Sequence, residues 1–151
     1  RRSYNFEKNE IINQKVINSL MSGLRVILCI GETLEERERG LTNIILKNQL
    51  DGCLEGVSSN IENLIIAYEP VWAIGTGKTA TVEQITDTHN YISEYLNEKF
   101  PKHHIKILYG GSMNSQNSKQ ILSIENVNGG LIGGASWVAE DFAALCEAAQ
   151  N

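Results

Sequence analysis

The stretch Leu64-Ile65-Ile66-Ala67-Tyr68-Glu69-Pro70-Val71-Trp72-Ala73-Ile74-Gly75-Thr76-Gly77-Lys78-Thr79-Ala80 decides the fold. Its first five residues are a short apolar run rich in β-branched side chains, which reads as a buried strand. Pro70 and the bulky Trp72 then make a stiff beginning to a loop, Gly75 and Gly77 a bendable tip, and Lys78-Thr79-Ala80 a return toward a helix. Thr81 and Gln84 stand in capping-box spacing, and the periodicity predicts a helix over 81–100, stopped by Pro101. Within it Val82, Ile85, His89, Ile92 and Leu96 fall along one mainly apolar face.

Outward from this unit, three more apolar runs read as strands: 24–30, 105–109 and 127–132. Segments with helical spacing flank them at 10–22, stopped by Gly23, and at 42–54, 115–122 and 140–149. Strands alternating with helices of this length imply βαβ units and a parallel sheet.

The composition narrows the function classes. With 151 residues, 42% apolar and 21% charged, the chain suits one soluble globular core and neither a disordered nor a low-complexity segment. Its 13 basic residues are scattered among 18 acidic ones for a net charge of −5, which argues against nucleic acid as a partner. No apolar run reaches the roughly 18–20 residues of a membrane span, and the start has no apolar stretch like a signal peptide, so no membrane partner and a cytoplasmic location are expected. The three widely spaced cysteines, without a C-x-x-C pattern, point to reduced thiols and to neither a disulfide framework nor zinc. With no initiator Met and a charged, polar opening, the start reads as a cut.

Seven of the 13 glycines lie in the stretches just after the four strands, where ligands bind in parallel α/β architecture. Single glycines there also serve ordinary turns, but two Gly-Gly pairs, each with a nearby Ser, and a third glycine-rich loop favour a ligand. Gly75-Thr76-Gly77-Lys78 is not a phosphate-binding P-loop, because the required upstream glycine is Trp72. As G-x-G-x-x-A the same loop leaves a nucleotide-binding α/β enzyme as the alternative. That fingerprint, however, follows its strand directly and wants an acidic residue at the end of the next strand, where Tyr109 stands. As a hinged lid, 70–80 would exclude water and bring backbone N–H groups onto an anion; otherwise it is an unusually long strand-to-helix connection. Glu69, at the strand end before it, fits either a proton-abstracting base or a solvated glutamate; closure of the lid would strip its water and strengthen it as a base. His89, His103 and His104 read as structural. The run Glu32, Glu35, Glu36, Arg37, Glu38 and Arg39 reads as a mostly solvated helical face, with Glu32 the member able to reach the site.

The segment 67–80, with Tyr109-Gly110-Gly111-Ser112, Gly133-Gly134-Ala135-Ser136, Cys29-Ile30-Gly31-Glu32 and the opening Arg1-Arg2, resembles the triosephosphate isomerase family in register along the whole chain. The resemblance implies an α/β fold, the TIM (β/α)8 barrel. Residues 1–151 would form the carboxyl-terminal half of that single catalytic domain, about four βα units. It implies an intramolecular aldose-ketose isomerase of glycolysis and gluconeogenesis, acting on a small phosphorylated triose without metal or organic cofactor, the intact enzyme being a homodimer. Glu69 would be the catalytic base; Gly75, Ser112, Gly133 and Gly134 would hold the substrate phosphate through backbone N–H groups. Ile74 and Leu131 would clamp the base. Tyr109 and Ser112 would latch the closed lid to the Ala80 and Gly77 backbone, Glu32 would partner Trp72, and Pro70 and Lys78 would belong to the lid. The family's lysine and histidine that polarise the carbonyl, and the loop forming most of its dimer contact, would lie upstream of Arg1, so the 151-residue chain alone is expected to be inactive and marginally folded.

Overall fold

The computed structural model describes residues 2, 4–76 and 78–150; of the positions singled out above, Arg1 and Gly77 lie outside the described residues. In chain order come α1 (Asn9–Met21), β1 (Val26–Ile30), α2 (Leu34–Glu38), α3 (Thr42–Cys53), β2 (Leu64–Tyr68), α4 (Val82–Lys99), β3 (Lys106–Tyr109), α5 (Ser118–Leu122) and α6 (Ala139–Ala148). Short 3-10 turns occupy Ile61–Asn63, Val71–Ala73 and Gly134–Trp137. The three strands form one parallel sheet in the order β1-β2-β3.

Pairing sets which side chains share a face. Cys29, Ala67 and Leu108 lie side by side on one face, and Ile30, Tyr68 and Tyr109 on the other. The second face carries the core: Leu28, Ile30, Ile66, Tyr68, Ile107 and Tyr109 pack with Leu46, Leu50, Ile85 and Ile92 of the helices. The first face is open along β1, where Ile27 is 44% exposed and Cys29 is exposed.

Helix α4 starts where its capping box predicts. The Thr81 amide donates to Gln84 Oε1 at 2.9 Å and the Gln84 amide to Thr81 Oγ1 at 3.2 Å, satisfying amides that the first turn leaves unpaired. Its buried stripe is Ile85, Thr88, His89, Ile92 and Leu96; Val82 is outside it, 38% exposed. Helix α5 is shorter than the periodicity predicts. Asn114 Oδ1 accepts from the Gln116 and Asn117 amides, and Asn117 Oδ1 accepts from the Asn114 amide, so these side chains make a local turn that delays the helix to Ser118.

The strand expected over 127–132 is reduced to a single bridge between Tyr109 and Gly130. The Asn128 amide donates to Ile107 O at 2.8 Å, the Tyr109 amide to Gly129 O at 3.0 Å and the Leu131 amide to Tyr109 O at 2.9 Å, a parallel pattern that runs no further. At its start the Ile107 amide donates to Asn128 Oδ1 at 2.7 Å, so a side chain fills the place of a strand carbonyl. Gly129 and Gly130 also offer no side chains to pack on the pleat.

Candidate active site

Glu69 stands one residue beyond β2, on the rung after Ile30–Tyr68–Tyr109. Its amide donates to Ile30 O at 2.7 Å, and the Gly110 amide donates to Tyr68 O at 2.8 Å, so Gly31 and Gly110 flank it. Neither position tolerates a side chain. A Cβ on Gly31 would fall 1.8 Å from the Glu69 carbonyl oxygen, and one on Gly110 would fall 2.6 Å from Glu69 Cγ. The carboxylate therefore folds into space left empty by Gly110, next to the loop that carries Ser112. Alternation places it on the face of Ala67 and Cys29. The Cys29 residue is exposed, yet its thiol is pushed up to about 12, first by local desolvation and then by the charge and hydrogen bond of Glu69. Glu69, Cys29, Gly31, Val71 and Ile74 line one end of an open groove of about 800 Å³ that continues along β1 to Arg2 and Lys15.

Glu32 is fully buried and organises the start of the loop. Its Oε1 accepts from Trp72 Nε1 at 3.0 Å, from Arg37 at 3.0 Å and from the Tyr68 hydroxyl at 3.1 Å. Arg37 also sits 5.7 Å over the Trp72 ring and donates to the Tyr68 hydroxyl at 3.2 Å. The Tyr68 phenol is pushed upward by burial and then by the Glu32 carboxylate. This corrects the reading of Arg37 as part of a solvated face: it is half-buried, in an ion pair with a buried carboxylate.

Pro70 and Ala73 are buried, whereas Gly75, Thr76 and Lys78 are exposed, so the loop tip stands away from the sheet. Ile74 is 44% exposed, and Leu131 is half-buried. The Ser112 amide and hydroxyl both donate to Ala73 O, at 3.0 and 2.7 Å, so the N–H expected to hold phosphate is bonded to the backbone of the 70–80 loop. Tyr109 is fully buried, its hydroxyl beside the Ala80 backbone at a geometry short of a full hydrogen bond, and burial pushes it up to about 12. Gly133 and Gly134 are exposed, at the start of the turn Gly134–Trp137.

The sequence pattern of the family described as triosephosphate isomerase matches residues 1–149 of this chain. The chain belongs to the triosephosphate isomerase family. It is 45% identical to the triosephosphate isomerase of Herminiimonas arsenicoxydans over 99% of this chain and 61% of that protein. It is 48% identical to that of Chlorobaculum tepidum over 99% of this chain and 62% of that protein. The chain thus spans about three fifths of the length of the triosephosphate isomerases it matches.

Sequence reasoning assigned no role to four groups beside Glu69 and the loop that follows it: Cys29, Tyr68, Gly110 as the space for Glu69, and the Ala73 carbonyl. Cys29 and Gly110 are neighbours of Glu69 only through strand register, which no single strand encodes. Among the described residues no group of three or more His, Cys, Asp or Glu converges as a metal site, and no helix is long and apolar enough to cross a membrane.

Proposed function

We propose that the protein carrying this sequence interconverts dihydroxyacetone phosphate and D-glyceraldehyde 3-phosphate, with Glu69 as the base. The observation that carries this reading is the placement of Glu69 between Gly31 and Gly110, at the foot of a loop whose start is pinned by Glu32. Glu69 takes a proton from one substrate carbon, leaving an enediolate; a proton passes from the oxygen on that carbon to the oxygen on its neighbour, and Glu69 returns its own proton to the neighbouring carbon, which exchanges ketose for aldose without net redox change. The amides of Gly75, Ser112, Gly133 and Gly134 hold the phosphate, the Ser112 amide exchanging Ala73 O for a phosphate oxygen. The closing segment 70–80 brings Ile74 and Leu131 over the carboxylate, with Ser112 latching Gly77 and Tyr109 latching Ala80, and excludes water. Polarisation of the carbonyl falls to the lysine and histidine that the family resemblance puts outside these 151 residues. On this reading the chain is the carboxyl-terminal half of a (β/α)8 barrel, its open β1 face covered by the other half, in a cytoplasmic homodimer that needs no cofactor.

The test is complementation. The purified chain alone shows no turnover of glyceraldehyde 3-phosphate, and adding the amino-terminal two fifths of a relative restores it. Glu69→Gln then lowers turnover by about 10²–10⁴-fold, the usual contribution of a positioned base. Turnover by the chain alone that Glu69→Gln removes overturns the division of labour; restored turnover indifferent to Glu69→Gln overturns the assignment of the base.

A further inference from the structure

His89 is a buried titratable group that the proposed mechanism leaves without a task. It is fully buried on α4, and its Nδ1 lies 2.9 Å from the carbonyl oxygen of Asn126. A carbonyl only accepts, so Nδ1 carries the proton, and Nε2 is left with no partner among the described residues. The tie to Asn126 thus uses one nitrogen and needs no ring. The ring itself completes a triangle with two others: edge-on to Tyr68 at 5.9 Å and tilted against Tyr109 at 6.3 Å, while the two tyrosines touch each other at 6.4 Å.

Those two tyrosines reach opposite ends of the loop. The Tyr68 hydroxyl holds Glu32, which holds Trp72 at the loop's start; the Tyr109 hydroxyl lies beside Ala80 at its end. His89 also rides on α4, whose capped first turn follows Ala80 directly. We propose that His89 is a positioning residue for the lid: its ring packs against both Tyr68 and Tyr109 and thereby fixes how the two tyrosines that reach the lid's ends sit relative to each other. This rests on the reading of 70–80 as a lid, and it assigns the ring a role apart from the Asn126 tie.

The experiment separates ring from tie in the complemented enzyme, without substrate. Trypsin cleavage after the exposed Lys78, followed by mass spectrometry, reports how often the loop opens, and thermal melting reports global stability. His89→Asn keeps a donor for Asn126 and removes the ring; His89→Phe keeps a ring and removes the donor. His89→Asn is expected to lower the melting midpoint and, well below melting, to speed cleavage after Lys78 about tenfold, the effect of losing one or two aromatic pairs. His89→Phe is expected to lower the midpoint and leave that cleavage near the wild-type rate well below melting. Cleavage unchanged in His89→Asn, or following the loss of midpoint alike in both variants, overturns the proposal. Should His89→Phe not fold, His89→Asn decides alone, since unchanged cleavage in it is enough to reject the ring's role. Because no turnover is measured, failure here is distinct from failure of the isomerase reading.

Discussion

The Glu69 side chain occupies the space that a side chain at Gly110 would need: a Cβ there would fall 2.6 Å from Glu69 Cγ and 3.3 Å from Oε1. One residue is a glycine so that its neighbour's carboxylate can lie across it. Gly110→Ala must displace either the β3 loop or the Glu69 carboxylate. In the complemented enzyme we expect kcat to fall by about 10²-fold, the effect of misplacing a reacting group by about 1 Å. Affinity for inorganic phosphate changes far less, and steady-state kinetics with phosphate inhibition reads both.

Glu32 gathers three donors on one buried oxygen. Glu32→Ala leaves Arg37, the Trp72 indole and the Tyr68 hydroxyl without that acceptor, at a cost of about 3 kcal/mol. The urea midpoint falls by roughly 1–2 M for a chain of this size. In a Trp137→Phe background the emission of Trp72 shifts to the red as its ring is released.

Burial holds His89 down at about 4 from an ordinary 6.5, partly offset by the bond to the Asn126 carbonyl. The native state thus binds this proton less readily than the unfolded chain, and stability is complete above pH 6.5. It is lost as pH falls from 6.5 through 4, by up to about 3 kcal/mol. Urea titrations across that range show a shallower loss in His89→Asn, which has no proton to take up at this position.

Asn128 supplies an amide oxygen where a fourth strand would supply a peptide carbonyl. Asn128→Ala strands the Ile107 amide, which costs about 1–3 kcal/mol, and hydrogen exchange at Ile107 accelerates ahead of that at Ile66 in the central strand.

The parts legible in the sequence are those whose signals are local. Strand β2 is bounded by Glu69-Pro70 and α4 by its capping box and Pro101, and both lie where the pattern puts them. The reduction of the strand expected over 127–132 to one bridge is not legible, because what shortens it is a side-chain bond from Asn128 to a residue of another strand. The position of Glu69 at a strand end can be read directly; its surroundings cannot, since Cys29 and Gly110 come to it through register. Arg37 reads as solvated because no acid stands one helical turn away to claim it. Its partner, Glu32, precedes the helix and is drawn inward by Trp72 and Tyr68.

The Ala73 carbonyl receives both the amide and the hydroxyl of Ser112. It acts as an internal decoy, resting lone pairs where the proposed mechanism puts an oxyanion. An arriving dianion gains no new donor at this point; it evicts a neutral acceptor, one hydrogen bond traded for a stronger, charge-assisted one. Selectivity at Ser112 then follows from formal charge, so a neutral triose finds the seat already taken.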